Sequence, residues 1–179
     1  MPRVCVFAGS SHGVRPAYRA AAAALGTAVG VRRWGLVYGG AQVGLMGVVA
    51  DAVLAAGGEV IGVLPTALDT TELAHGDLTA LHVVDGMHQR KAMMADLADG
   101  FVALPGGLGT FDELFEIITW AQLELHAKPV VLFNADGYFD PLLALVDHAV
   151  REGFVRSRHR QAVRVGTTAT AVLEHLGLD

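Results

Sequence analysis

Pro105-Gly106-Gly107-Leu108-Gly109-Thr110-Phe111-Asp112-Glu113 joins three glycines to a pair of carboxylates. The apolar run Gly100–Leu104 precedes it, and Leu114, Ile117, Ile118 and Ala121 follow at helical spacing, so the order is strand, glycine turn, helix. Glycines let backbone N–H groups approach a ligand without obstruction, and a helix N-terminus adds unpaired donors and positive dipole where an anion can sit. The segment therefore has the makings of a phosphate cradle beside an acid. The same residues also fit a capping box, with Thr110 and Glu113 each satisfying a backbone donor at the helix start. Both readings stand on the local pattern.

A second glycine turn, Tyr38-Gly39-Gly40-Ala41-Gln42-Val43-Gly44-Leu45-Met46-Gly47, also opens a helix. Gly39 and Gly44 have P-loop spacing, but Leu45-Met46 stands where Lys and Ser or Thr are needed, so magnesium-dependent phosphoryl transfer loses its support. Tight strand-to-helix packing accounts for these glycines equally well. In Met87-His88-Gln89-Arg90-Lys91-Ala92-Met93-Met94, the residues Met87, Met94 and Leu97 mark one helix face, and Arg90 falls on it. A guanidinium on an apolar face must find an anion, either a structural carboxylate or a substrate phosphate. Lys91, one of two lysines in the chain, sits on the adjoining edge.

Other chemistries find little in the chain. The eight histidines form no metal-ligand spacing, so no metal is expected. Ser10, Ser11 and Ser157 are the only serines and none sits in a nucleophile elbow. Cys5 has no intrachain partner and lies in an apolar run, as a buried structural thiol would. A formal net charge of -5 without a basic cluster argues against a nucleic-acid surface, and Arg156, Arg158 and Arg160 read as a solvated loop.

Strand-like runs at 3–8, 35–38, 59–64, 80–84, 100–104 and 129–133 alternate with helical patterns near 15–32, 43–56, 87–98, 111–125, 139–152 and 168–176. This is an α/β layout: a Rossmann-like parallel sheet with helices on both faces, expected as a single domain over residues 1–179. Ligands in such sheets bind at the carboxyl ends of the strands, where Gly9-Ser10-Ser11, Gly39-Gly40, Pro65 onward and Pro105–Glu113 all fall. Hydrophobic residues make up 53% of the chain, yet glycines or charges break each long stretch, so no membrane span is expected. The excess points to a buried sheet and a subunit interface. Residues 43–65 carry only Asp51 and Glu59 as charges, which predicts a helix hidden nearly all round and then a central strand. The N-terminus lacks a signal-peptide layout, so a cytoplasmic location is expected.

Together these segments resemble the LONELY GUY (LOG) family of cytokinin riboside 5'-monophosphate phosphoribohydrolases, once mislabelled as lysine decarboxylases. The family's joint signature, M-H-x-R-K followed by P-G-G-x-G-T-x-x-E, stands here as Met87–Lys91 and Pro105–Glu113. The likeness continues through Trp120–Leu123, His126–Pro129 and Asn134–Tyr138, covering roughly 4–155. Two departures are Ala8, where the family often has Cys, and Ala41, where it often has Gly; neither touches the signature.

The resemblance implies a Rossmann-like homodimer that hydrolyses the N-glycosidic bond of an adenine-type nucleoside 5'-monophosphate, giving free base and ribose 5-phosphate without a cofactor. Carried onto this chain, it implies Arg90 and Glu113 as the catalytic pair. Glu72, Lys91, Gly106, Gly107, Leu108, Gly109, Thr110, Phe111 and Asp112 would bind substrate. Glu113 would stabilise positive charge on the ribose or activate a water, and Arg90 would orient Glu113, bind phosphate or ease departure of the base. Two alternatives remain: a broader AMP or nucleotide nucleosidase, and a nucleotide or cofactor carrier that binds without turnover.

Overall fold

A computed structural model of the chain describes residues 1–68 and 74–178. Seven strands, β1 (Arg3–Phe7), β2 (Gly35–Tyr38), β3 (Glu59–Pro65), β4 (Ala80–Val84), β5 (Gly100–Ala103), β6 (Val130–Phe133) and β7 (Val163–Gly166), form one sheet. Its order is β4-β3-β2-β1-β5-β6-β7, and every pairing is parallel. The helices are α1 (Pro16–Val31), α2 (Gly44–Ala55), α3 (Met87–Leu97), α4 (Leu108–Gln122), α5 (Asp140–Arg151), α6 (Ser157–Ala162) and α7 (Ala169–Leu176).

Alternate residues of the interior strands feed two separate cores. Val4, Val6, Leu36 and Leu104 pack under α1, α2 and α7. Cys5, Phe7, Val37, Ile61 and Phe101 pack with Met94 of α3 and Leu114 of α4 on the opposite face. Burial on both faces explains why the strands read as continuous apolar runs, and each fully buried large side chain contributes roughly 1.5–3 kcal/mol. Cys5 is fully buried, as its setting in the sequence predicts, and burial pushes its thiol well above the ordinary range. The stretch 43–65 becomes α2 followed by β3, an interior strand between β2 and β4; α2 is not hidden all round, since it buries one face, Leu45, Gly47, Val49, Ala50 and Val53, and leaves Asp51 and Ala55 exposed.

β1 starts both halves of the sheet: the chain winds outward through β2, β3 and β4, then returns to β1's other side with β5. That reversal is a topological switch point, where loops leave adjacent strands in opposite directions and open a crevice. The two loops are stitched at their roots, since the Gly9 amide donates to the Pro105 carbonyl at 3.0 Å and the Leu104 amide to Phe7 at 2.9 Å. Among the described residues no helix is long and apolar enough to cross a membrane.

Three differences from the sequence expectation concern local structure. α4 begins at Leu108 rather than 111, because the glycine turn itself supplies its first residues. The stretch 156–160 is not a loop: α6 begins at Ser157, and Arg160 pairs with Asp147 of α5 at 2.7 Å. β7 follows directly and extends the sheet beyond β6.

Candidate active site

The N-terminus of α4 lies in the crevice beside β1. Gly107 is its N-cap residue, with φ -97° and ψ -154°, and no side chain caps it. The capping-box reading therefore fails, because Thr110 and Glu113 both lie inside the helix. The first intrahelical bond closes from Phe111 to Gly107 at 3.0 Å, which leaves the amides of Leu108, Gly109 and Thr110 as unpaired first-turn donors. A side chain at Gly107 or Gly109 would meet nothing within 4 Å, so neither glycine is required by packing. Their empty flank is the wall of a cleft of about 180 Å³, lined by Ser10, Met46, Arg90, Gly107, Thr110 and Glu113 among others.

Glu113 sits one helical turn beyond Thr110 and is 7% exposed. Opposite it, Arg90 is 8% exposed, on the inward face of α3 between Met87 and Met94 as the spacing predicts. Its Nη2 lies 3.4 Å from Glu113 Oε1, its Nε donates to the Val63 carbonyl at the end of β3 at 3.1 Å, and Met87 Sδ is 3.8 Å from Nη1. The anion that Arg90 required is thus a buried carboxylate that also faces the cleft. Gly39, at the end of β2, makes this possible: a Cβ there would coincide with the guanidinium. The second glycine turn serves Arg90, while Gly44, with φ +59°, lets the start of α2 pass against the Ser10–Ser11 backbone.

Burial pushes the Glu113 carboxyl up to about 7, with Arg90 opposing and Asp112 reinforcing the shift. A carboxyl that titrates near neutrality inside a polar cleft can exchange a proton with a substrate or water.

The other residues expected at the site divide into two groups. Gly107, Leu108, Gly109 and Thr110 line the cleft directly, and Gly106 lines an adjoining cavity of about 190 Å³. Lys91, Phe111 and Asp112 are not in the cleft lining. Lys91 Nζ is held by Asp112 at 3.0 Å and Glu116 at 3.1 Å, tying α3 to α4. Burial by itself would lower the pKa of Lys91, but those two carboxylates hold it raised. Phe111 packs against the core beneath the sheet. Glu72 lies outside the described residues. Ala8, Gly9, Ser10 and Met46 line the cleft without having been singled out as site residues, although the end of β1 already marks Gly9 and Ser10 as facing the crevice.

Among the described residues no cluster of His, Cys, Asp and Glu could hold a metal ion. His126 accepts from the Lys128 amide at Nδ1 and therefore donates from Nε2 to the Ile117 carbonyl. It serves as a structural brace.

The family profile described as "Possible lysine decarboxylase" matches residues 46–176. A probable cytokinin riboside 5'-monophosphate phosphoribohydrolase of Oryza sativa subsp. japonica is 49% identical over 174 residues, spanning 97% of this chain and 71% of that protein. A second from the same plant is 55% identical over 158 residues, spanning 88% of this chain and 70% of that protein. A cytokinin riboside 5'-monophosphate phosphoribohydrolase of Arabidopsis thaliana is 48% identical over 174 residues, spanning 97% and 81%. In fold, the chain is similar to a molybdenum cofactor binding protein of Rippkaea orientalis, with a TM-score of 0.71 at 23% identity over 97% of this chain and 93% of that one. It is likewise similar to the Moco carrier protein of Chlamydomonas reinhardtii, with a TM-score of 0.72 at 22% identity over 98% and 95%. At that identity the two structures speak to the fold alone.

Proposed function

The chain belongs to the LOG family of cytokinin riboside 5'-monophosphate phosphoribohydrolases, and from that premise we propose that it hydrolyses the N-glycosidic bond of N6-modified adenosine 5'-monophosphates, and of AMP, to free base and ribose 5-phosphate. The observation that carries this reading is the buried Arg90–Glu113 pair, 3.4 Å apart, beside a helix N-terminus whose glycines face open space. A simple anion carrier would need the helix N-terminus but has no evident use for a buried acid titrating near neutrality.

The substrate's 5'-phosphate docks on the unpaired amides of Leu108, Gly109 and Thr110, which fixes the ribose and supplies the orientation part of catalysis. The C1'–N9 bond then breaks, its electron pair leaving with the base and positive charge developing on the sugar. Glu113, ionised, faces that charge and accepts a proton from the water whose oxygen bonds to C1'; the departing base takes its proton from bulk water, to which Glu113 then returns the one it accepted. Arg90 is anchored by the Val63 carbonyl in the space that Gly39 leaves, so it holds Glu113 toward the cleft and keeps part of its population ionised despite burial. Lys91, through Asp112 and Glu116, sets the spacing of α3 and α4 on which that pair depends. Glu72 is proposed as a further substrate contact. The protein acts in the cytoplasm as a homodimer.

Purified protein is to be incubated, without added metal, with AMP and with isopentenyladenosine 5'-monophosphate, and free base and ribose 5-phosphate quantified. Faster release from the prenylated nucleotide supports the cytokinin reading, comparable release a broader nucleotide hydrolase. Tight binding with no release would sink the enzyme reading.

A further inference from the structure

The cradle is held in shape from outside α4. Gly106 is the residue before the N-cap, and its carbonyl lies four residues before the Thr110 amide, the spacing of a helical bond. No such bond closes; the Tyr138 hydroxyl donates to the Gly106 carbonyl instead. If that carbonyl were released, it would be the natural acceptor for Thr110 N–H, and α4 would gain a turn residue at the expense of one anion donor.

Tyr138 is built to stay in place. Its ring meets Tyr18 edge-on, with centroids 5.5 Å apart at 77°, and Phe139 at 5.0 Å and 84°. Phe139 is fully buried, and its amide donates to Asn134 Oδ1 at 2.7 Å, while the Tyr138 amide donates to the Ala135 carbonyl at 3.1 Å. Gly106 is closely flanked on its other side, where a Cβ would strike Thr110 and the Gly9 amide. Beside the Tyr138 ring lies a cavity of about 190 Å³ bounded by Ser10, His12, Tyr18, Gly106 and Gly107.

We propose that Tyr138 is a positioning residue of the phosphate cradle: by occupying the Gly106 carbonyl it keeps the Thr110 amide free for the substrate's anion. The inference rests on the cradle reading above and assigns a role to the loop between β6 and α5, which is not part of the lining of the Arg90–Glu113 cleft. The test is Y138F, which keeps both aromatic contacts and removes only the hydroxyl; melting temperature confirms the fold. The Kd for ribose 5-phosphate and the KM for the nucleoside monophosphate are expected to rise together by roughly three- to tenfold, the range of one lost hydrogen bond. Turnover of the unphosphorylated nucleoside should change less than twofold.

Equal losses on nucleotide and nucleoside, or unchanged ribose 5-phosphate binding, would overturn the proposal while leaving hydrolysis intact. A wild type that binds ribose 5-phosphate but releases no base, with Y138F binding it more weakly, would keep the positioning role and remove the enzyme reading. A wild type that binds no phosphate ester would remove both.

Discussion

Glu113 is held where ionisation is opposed by burial and favoured by one guanidinium, and the balance puts its carboxyl at about 7. If the ionised form is the reactive one, kcat/KM rises with pH through that value and levels above it. A general acid would give the opposite slope, so a profile falling above pH 7 overturns the assignment. Glu113→Gln should lower kcat by about 10²–10⁴ and erase the inflection. The same shift has a stability signature. An unfolded glutamate ionises near 4.5 and the folded one near 7, so the folded protein holds an extra proton between these values. This contribution is full at pH below 4.5 and is lost as pH rises through 7. Relative to wild type, Glu113→Gln should therefore gain about 1–3 kcal/mol between pH 4.5 and 7.5, measured as a shift in urea midpoint at each pH.

The elements around the site use glycine for two unlike reasons, and substitution separates them. Gly39→Ala drives a methyl into the Arg90 guanidinium, so we expect loss of activity of about 10²-fold together with a lower melting temperature. At Gly109, in the first turn of α4, a methyl meets open space and alanine is the better helix former by about 0.5–1 kcal/mol. Gly109→Ala should thus melt higher than wild type while its nucleotide KM rises, a combination that a purely structural glycine would not give. Before any fold was visible, the spacing of Met87, Arg90 and Met94 and the strand–turn–helix order of 100–122 were legible, because apolar period and glycine punctuation are local signals. That Gly39 serves a residue of α3 was not legible, since the contact joins a turn and a helix far apart in sequence. β7 escaped notice because Val163-Arg164-Val165-Gly166 is a short edge strand whose pairing partner is β6, and α6 because Ser-Arg-His-Arg-Gln-Ala has no apolar stripe.

For the whole molecule, composition foretold an apolar excess beyond one core but could not say where it lies. Folding removes most of it into the two faces of the sheet and leaves some large apolar side chains exposed, among them Leu145 of α5 at 61% and Phe154 at 88%. Near them Phe115, Ile118, Leu142, Val146 and Val155 line a groove of about 150 Å³ between α4 and α5. Scattered apolar residues need no explanation, but a contiguous group of them does. α4 presents Phe115 to this groove and Glu113 to the cleft, so contacts on its outer face would brace the helix that carries the acid. The homodimer reading predicts a solution mass of twice 18.7 kDa. Leu145→Glu with Phe154→Glu, neither of them in the cleft, should return the mass to that of one chain. A wild type already at 18.7 kDa would refute the dimer and leave the exposed face unexplained. If the charged double variant dissociates and also loses turnover at unchanged melting temperature, bracing of α4 from outside is part of how Glu113 is held; if turnover survives dissociation, each chain positions its own acid through Arg90 and Lys91 alone.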